Sequence, residues 1–235
     1  MTQLAGTSAT EAALRRRRDA LVVLLAVNSG ATDAIGFLSL GGAFTSVMTG
    51  NMVLLGIAGG THNSSLAAHS AAAIICFVIG GALGARVAGQ PTPDDPVWPE
   101  QVSRALRIEF ALIGVYALGW EAFGGHPRGL WAASLLGVNA VALGLQSSAI
   151  HRFGVPGLST TYLTGTLTTM VIRLTHGRGV RDVAHSAQLL AGLVAGAGLG
   201  AFLATHVARA APLVQLVSLG AVATGATALH RSRTH

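Results

Sequence analysis

Apolar positions along this chain gather into eight runs separated by short polar breaks. Six of them, residues 20–40, 66–88, 105–124, 129–150, 183–206 and 211–229, approach or exceed the ~20 apolar residues a helix needs to cross the hydrocarbon core. Two more, 44–58 and 158–173, are apolar but short. Each follows a helix breaker, Gly41-Gly42 in the first and Pro156-Gly157 in the second. The pattern predicts an all-α polytopic membrane protein with six full transmembrane helices and two short, interrupted half-helix elements.

The runs also repeat. "AHSAAAIICFVIGGALGA" (68–85) aligns without gaps on "AHSAQLLAGLVAGAGLGA" (184–201), with nine of eighteen positions identical at an offset of 116. At an offset of 115, residues 33–52 lie over 148–167 and share Ala34/Ala149, Ile35/Ile150, Gly42/Gly157, Thr45/Thr160, Thr49/Thr164 and Gly50/Gly165. The expectation is two tandem membrane repeats of about four elements each, 20–125 and 129–230, between a polar, Arg-rich tail (1–19) and a short tail (231–235). Residues 89–103 hold four of the seven prolines and read as a solvated loop, at most a lid. If all eight elements cross, the two units are parallel; if the short ones are re-entrant, the units are inverted. The parallel arrangement is the one expected.

Composition agrees with a membrane protein. Of 235 residues 51% are hydrophobic and only 10% charged, against ~25% charged in soluble domains, and the mean hydropathy is +0.58. All fifteen basic residues are arginine. They sit mostly between apolar runs, so they speak of topology and not of nucleic acid. With eight crossings, ten arginines (15, 16, 17, 18, 128, 173, 178, 181, 231 and 233) fall on one side and five (86, 104, 107, 152 and 209) on the other. That bias places both termini of a multi-pass protein in the cytoplasm. The basic start followed by "ALVVLLAV" could also be a signal peptide, but the segment takes part in the repeat. One cysteine, Cys76, excludes a disulfide framework or a cysteine metal site. No phosphate loop, nucleophile elbow or zinc-helix motif is present, so neither an enzyme, a cofactor nor a metal is expected.

Candidate chemistry lies in the polar residues of the apolar runs. The leads "FTSVM" (44–48) and "LSTTY" (158–162) favour extended backbone. Each then passes through Thr-Gly into a half-helix starting near mid-bilayer, where its first N–H groups lack intrahelical partners. Thr49 and Thr164 are expected as N-caps, with Gly50 and Gly165 permitting close approach. With Asn51 and Thr166 they would form a site for a carboxylate or other small anionic or polar solute; plain helix capping and packing is the competing reading. Asp33, replaced by Ser148 in the second unit, is a candidate proton- or ion-coupling group with Asn28, Thr32 and Gln146 as neighbours, or else a helix cap or partner of Arg152. Glu109 and Glu121 are expected at the membrane interface, Glu109 near Arg107 and Trp120 at headgroup level. His69 and His185 are expected to make helix-end hydrogen bonds. The four-residue stripes Cys76-Gly80-Gly84 and Gly192-Gly196-Gly200 suggest close helix packing between repeats or between protomers.

The stretch "TDAIGFLSLGGAFTSVMTGNMVLLG", with Asp33-Ala34, the Gly41-Gly42-x-Phe44 turn and Met48-Thr49-Gly50-Asn51, resembles the YoaK (DUF1275) family of bacterial membrane proteins, and the helix content matches over nearly all of 20–230. The resemblance implies a multi-spanning protein of the cytoplasmic membrane, with no substrate to carry over. The leading functional expectation is a small secondary transporter or permease in the lipid bilayer, able to dimerise with itself. A non-transporting scaffold or accessory subunit is the alternative, and a lipid-acting enzyme a minor third.

Overall fold

The computed structural model describes residues 2–154, 163–177 and 179–231. Among them there is no strand; the elements are α1 (Thr2–Ser39), α2 (Met48–Gly60), α3 (Ser64–Ala88), α4 (Glu100–Ala122), α5 (Gly129–His151), α6 (Leu163–Thr175), α7 (Val180–His206) and α8 (Leu213–Arg231), with a 3-10 turn at Ala208–Ala210. Each apolar run therefore contains a helix. Five helical segments, Glu11–Ser39, Ser64–Ala88, Gly129–His151, Val183–His206 and Ala208–Leu229, are long and apolar enough to cross a membrane. The fourth helix has 23 residues, but Arg104, Arg107, Glu109 and Glu121 dilute its hydropathy. The Arg-rich start is no separate tail, because α1 runs through Arg15–Arg18 without a break. Its 38 residues reach about 57 Å at ~1.5 Å per residue, well beyond the ~30 Å hydrocarbon core.

Glycines bring four helices together in two close pairs. A Cβ on Gly80 of α3 would collide with the Val141 carbonyl of α5, and one on Gly84 would fall 2.7 Å from the Leu145 carbonyl oxygen. On the other side, a Cβ on Gly196 of α7 would collide with the Val27 carbonyl of α1, and one on Gly200 would fall 2.5 Å from that of Ala31. In both pairs the contacts advance together along the two helices, so α3 runs parallel to α5 and α7 to α1. Both small-residue stripes are thus used inside the chain. The core follows from this: 67% of the apolar window is buried in α1 and again in α5, but only 17% in α3 and 22% in α7. The first and fifth helices form the centre, and the third and seventh lie outside them.

The two central helices oppose each other. Gly36 faces Leu136, Asn28 bonds Gln146, and Arg18 lies over the Phe153 ring, so rising numbers on α1 meet falling numbers on α5. This overturns the parallel arrangement, and the cause is α2. After α1 the chain reverses at Gly41 and Gly42, whose φ of 104° and 79° suit glycine and few other residues. Thr45 and Ser46 return beside Asp33, about 9 Å back along the axis of α1 at ~1.5 Å per residue. The 13 residues of α2 then lead back toward the end they came from, because Leu66 and His69 on the first turns of α3 pack on Gly42 and Gly41. The excursion through α2 thus begins and ends at the same end of α1.

Candidate functional site

Asp33 is the brace of that returning lead. Its Oδ1 accepts hydrogen bonds from the Thr45 amide (2.7 Å), the Thr45 hydroxyl (2.9 Å) and the Ser46 amide (2.7 Å), and its Oδ2 accepts one from the Ser46 hydroxyl (2.6 Å). Four donors in a buried setting satisfy both oxygens. Asn51 does similar work from inside α2. Its Oδ1 accepts from the Phe44 amide (2.8 Å) and its Nδ2 donates to the Phe44 carbonyl (2.7 Å), as a neighbouring strand would. Two polar side chains thus supply the partners that a non-helical backbone requires in an apolar surrounding.

Thr49 is not the cap of α2. The helix opens at Met48 with Val47 as its cap, and no side chain bonds there, so Thr49 sits inside the first turn and is exposed. A Cβ on Gly50 would come within 3.2 Å of both Phe44 and Val47, so this glycine lets the lead fold back on the helix. In α6, Thr164 is likewise exposed one residue inside the helix, Gly165 is half-buried and Thr166 is buried. The second lead, Leu158 to Tyr162, and Pro156-Gly157 lie outside the described residues.

A second buried carboxylate was not expected where it is. Glu109 is fully buried, not interfacial beside Arg107. The helix explains it: Val102, Ala105, Leu106, Ile113, Tyr116 and Trp120 form the buried stripe of α4, and Glu109 falls in that stripe while Arg104 and Arg107 face outward. The spacing 102, 106, 109, 113, 116, 120 is a helical period, and reading it would have found the residue. Trp120 is also inside, its Nε1 donating to the Ala208 carbonyl (2.8 Å), whereas Glu121 is exposed near Arg209.

Around Glu109 three other helices, α1, α5 and α8, contribute neutral polar groups. Asn28 Nδ2 donates to Glu109 Oε1 and to Gln146 Oε1, both at 3.2 Å. Gln146 Nε2 donates to Ser29 Oγ (3.0 Å), and Gln215 Nε2 donates to Thr32 Oγ1 (2.9 Å), which donates to the Asn28 carbonyl (2.7 Å). Ser218 Oγ lies 3.3 Å from Asn28 Oδ1 and 3.0 Å from the Gln215 carbonyl. Glu109 Oε2 and Gln215 Oε1 are buried without a hydrogen-bond partner. Two helical turns along, Tyr116 on α4 and Asn139 on α5 add a further buried polar layer. Asn28, Thr32 and Gln146, expected beside Asp33, serve Glu109's cluster instead.

At the end shared by the start of α1 and the end of α5 lies a cavity of about 370 Å³, lined by Arg15, Arg18, Asp95, Arg152 and Phe153 among others. Arg152 does not pair with Asp33. Its Nη1 donates to the Ala88 carbonyl and its Nη2 to Asp95 Oδ1 (2.8 Å). Burial acts to raise the Asp95 carboxyl, but hydrogen bonds from Thr92 and Arg152 outweigh it and hold it below its ordinary value. The loop is therefore not wholly solvated: Trp98 is buried, with Nε1 donating to Ser103 Oγ (2.9 Å). Of the paired histidines, His69 Nδ1 bonds the Ser65 carbonyl (2.7 Å), while neither ring nitrogen of His185 has a hydrogen-bond partner. No group of three or more His, Cys, Asp or Glu among the described residues could hold a metal.

Residues 21–225 match the family described as a protein of unknown function, DUF1275. The chain is 34% identical over 156 residues to the UPF0700 transmembrane protein YoaK of Bacillus subtilis (strain 168), a stretch covering 66% of this chain and 66% of that relative's length. No solved structure matches.

Proposed function

The chain belongs to the DUF1275 family of multi-spanning membrane proteins, and on that premise we propose that it is a small secondary transporter for a small anionic or polar solute. One observation carries the reading: a cluster of buried polar side chains, with a carboxylate at its centre, where helices of the two halves meet. Burying such groups in a bilayer is costly, and inward-facing intramembrane carboxylates mark substrate or ion paths by default.

In this reading six helices cross, α2 and α6 are re-entrant, and the halves form an inverted repeat of the kind that builds alternating-access transporters. The matched contacts support it. Gly80 on Val141 corresponds to Gly196 on Val27, and Gly84 on Leu145 to Gly200 on Ala31. The arginines support it too: 15, 16, 17, 18, 86, 104, 107, 152, 173, 181 and 231 lie toward the end that holds the N-terminus, against 128 and 209 toward the other. That end is then cytoplasmic. Thr49 and Thr164, exposed on the first turns of the half-helices, are hydroxyls available to a polar solute, with Gly50, Gly165 and Thr166 beside them.

The test is charge movement in proteoliposomes on a solid-supported membrane, challenged in turn with small carboxylates, inorganic anions, nucleobases and amino acids. A current with one solute class names the substrate class. Silence across the panel, together with recovery of a stoichiometric partner from the native membrane, would instead support the scaffold reading, which the largely unburied faces of α3 and α7 favour.

A further inference from the structure

Glu109 presents a mismatch between what its surroundings offer and what a carboxylate needs. The side chain is fully buried, one oxygen accepts from Asn28, and the other has no partner. A buried carboxylate carrying a full charge requires an opposite charge or several donors. Among the described residues no cationic side chain pairs with it. The titratable groups of the helices packed around it are directed elsewhere. Asp33 of α1 is taken up by the Thr45-Ser46 lead, and Tyr116 stands two turns along α4. Arg107 of α4, Arg86 of α3 and His151 of α5 are exposed, and Arg152, past the end of α5, pairs with Asp95.

We infer that Glu109 is a proton-carrying site: it holds a proton at rest and releases it when the helices around it rearrange, so that it, and not Asp33, is the coupling group of the transport cycle. The inference rests on the transporter reading for the cycle, though not for the protonated state. A metal cation is the rival occupant, and the cluster does not suit one. Hard cations take about six or more oxygen ligands, whereas only Glu109 Oε2 and Gln215 Oε1 of this cluster lack a partner. Ser103 and the Arg152 cavity lie toward one end of α4 from Glu109 and the Tyr116 and Asn139 layer toward the other, with buried apolar side chains such as Leu106 and Ile113 between.

The test is infrared difference spectroscopy of the purified full-length protein in phosphatidylethanolamine/phosphatidylglycerol vesicles, titrated from neutral to alkaline pH. The expected result is the carbonyl stretch of a protonated carboxylic acid in wild type, lost in Glu109→Gln, shifted in Glu109→Asp and kept in Asp33→Asn. A wild-type spectrum without that band, or a band lost only in Asp33→Asn, would overturn the proposal whatever solute moves. If Glu109→Gln does not fold, the Glu109→Asp shift decides. A Glu109 band with no current in any solute assay would leave the protonated site standing and remove the transporter reading.

Discussion

Asp33 and Glu109 are both carboxylates buried among helices, yet four donors converge on the first and a single amide reaches the second. The difference separates two uses of a costly group. Around Asp33, two backbone amides and two hydroxyls would otherwise be unsatisfied in an apolar setting. The carboxylate solves their problem as they solve its own. Around Glu109 no such exchange exists, since Asn28 has Gln146 as a second acceptor and one oxygen of Glu109 stays unpaired. A satisfied carboxylate holds backbone in place, and an unsatisfied one is set to change its charge. Burial by itself does not tell them apart; the count of donors does.

The largest effect that would break this contrast is at the brace. Asp33→Ala leaves two amides and two hydroxyls without their acceptor and should cost about 3–5 kcal/mol, enough to lower the thermal midpoint in detergent sharply or abolish recovery of folded protein. Asp33→Asn retains most of the acceptors and should fold. A mild Asp33→Ala would show that the turn is held by something else. Next in size are the glycine contacts. Gly80→Ala and Gly196→Ala each push a methyl into a facing carbonyl, and each should destabilise by about 1–3 kcal/mol. Similar losses would support the inverted repeat, and a large difference between them would count against it.

Glu109→Gln should leave stability within about 1 kcal/mol of wild type, because a neutral isostere keeps the Asn28 bond, while it abolishes coupled flux. A severe loss of folding with no change in the flux of what remains would make Glu109 a second brace. The smallest effect is expected at Asp95, whose carboxyl is held below its ordinary value in the folded protein. The stability it contributes is then fully present above the unfolded value of ~3.9 and lost as pH falls through the lowered folded value. Being only partly buried, the pair is worth about 1 kcal/mol or less. Comparing thermal midpoints of wild type and Asp95→Asn at neutral pH and below pH ~4 should show a gap that closes on acidification.

Much of the fold was legible because a bilayer imposes a length and an apolar composition on whatever crosses it. The runs 66–88, 129–150 and 183–206 correspond closely to α3, α5 and α7. Glycine stripes could be read as close packing, since only a missing Cβ permits it. The candidate site was legible only in part. The β-branched lead before α2 marks non-helical backbone, but Thr49 lies inside the helix, and Asn51 and Asp33 are occupied by the lead's own backbone. Glu109 reads as interfacial from sequence because Arg107 stands beside it, although a helix turns Arg104 and Arg107 to the opposite face.

Sequence alone determined that this is a membrane protein, where most of its long helices lie and which glycine stripes pack closely, because each follows from local composition and period. Only the tertiary structure decided that α1 and α5 run in opposite directions and which carboxylate is left unpaired. Both depend on whether α2 crosses or turns back, and on which side chains meet from helices more than eighty residues apart, as Asn28 meets Glu109. Those are properties of a packed whole, where one donor more or less decides what a buried charge can do.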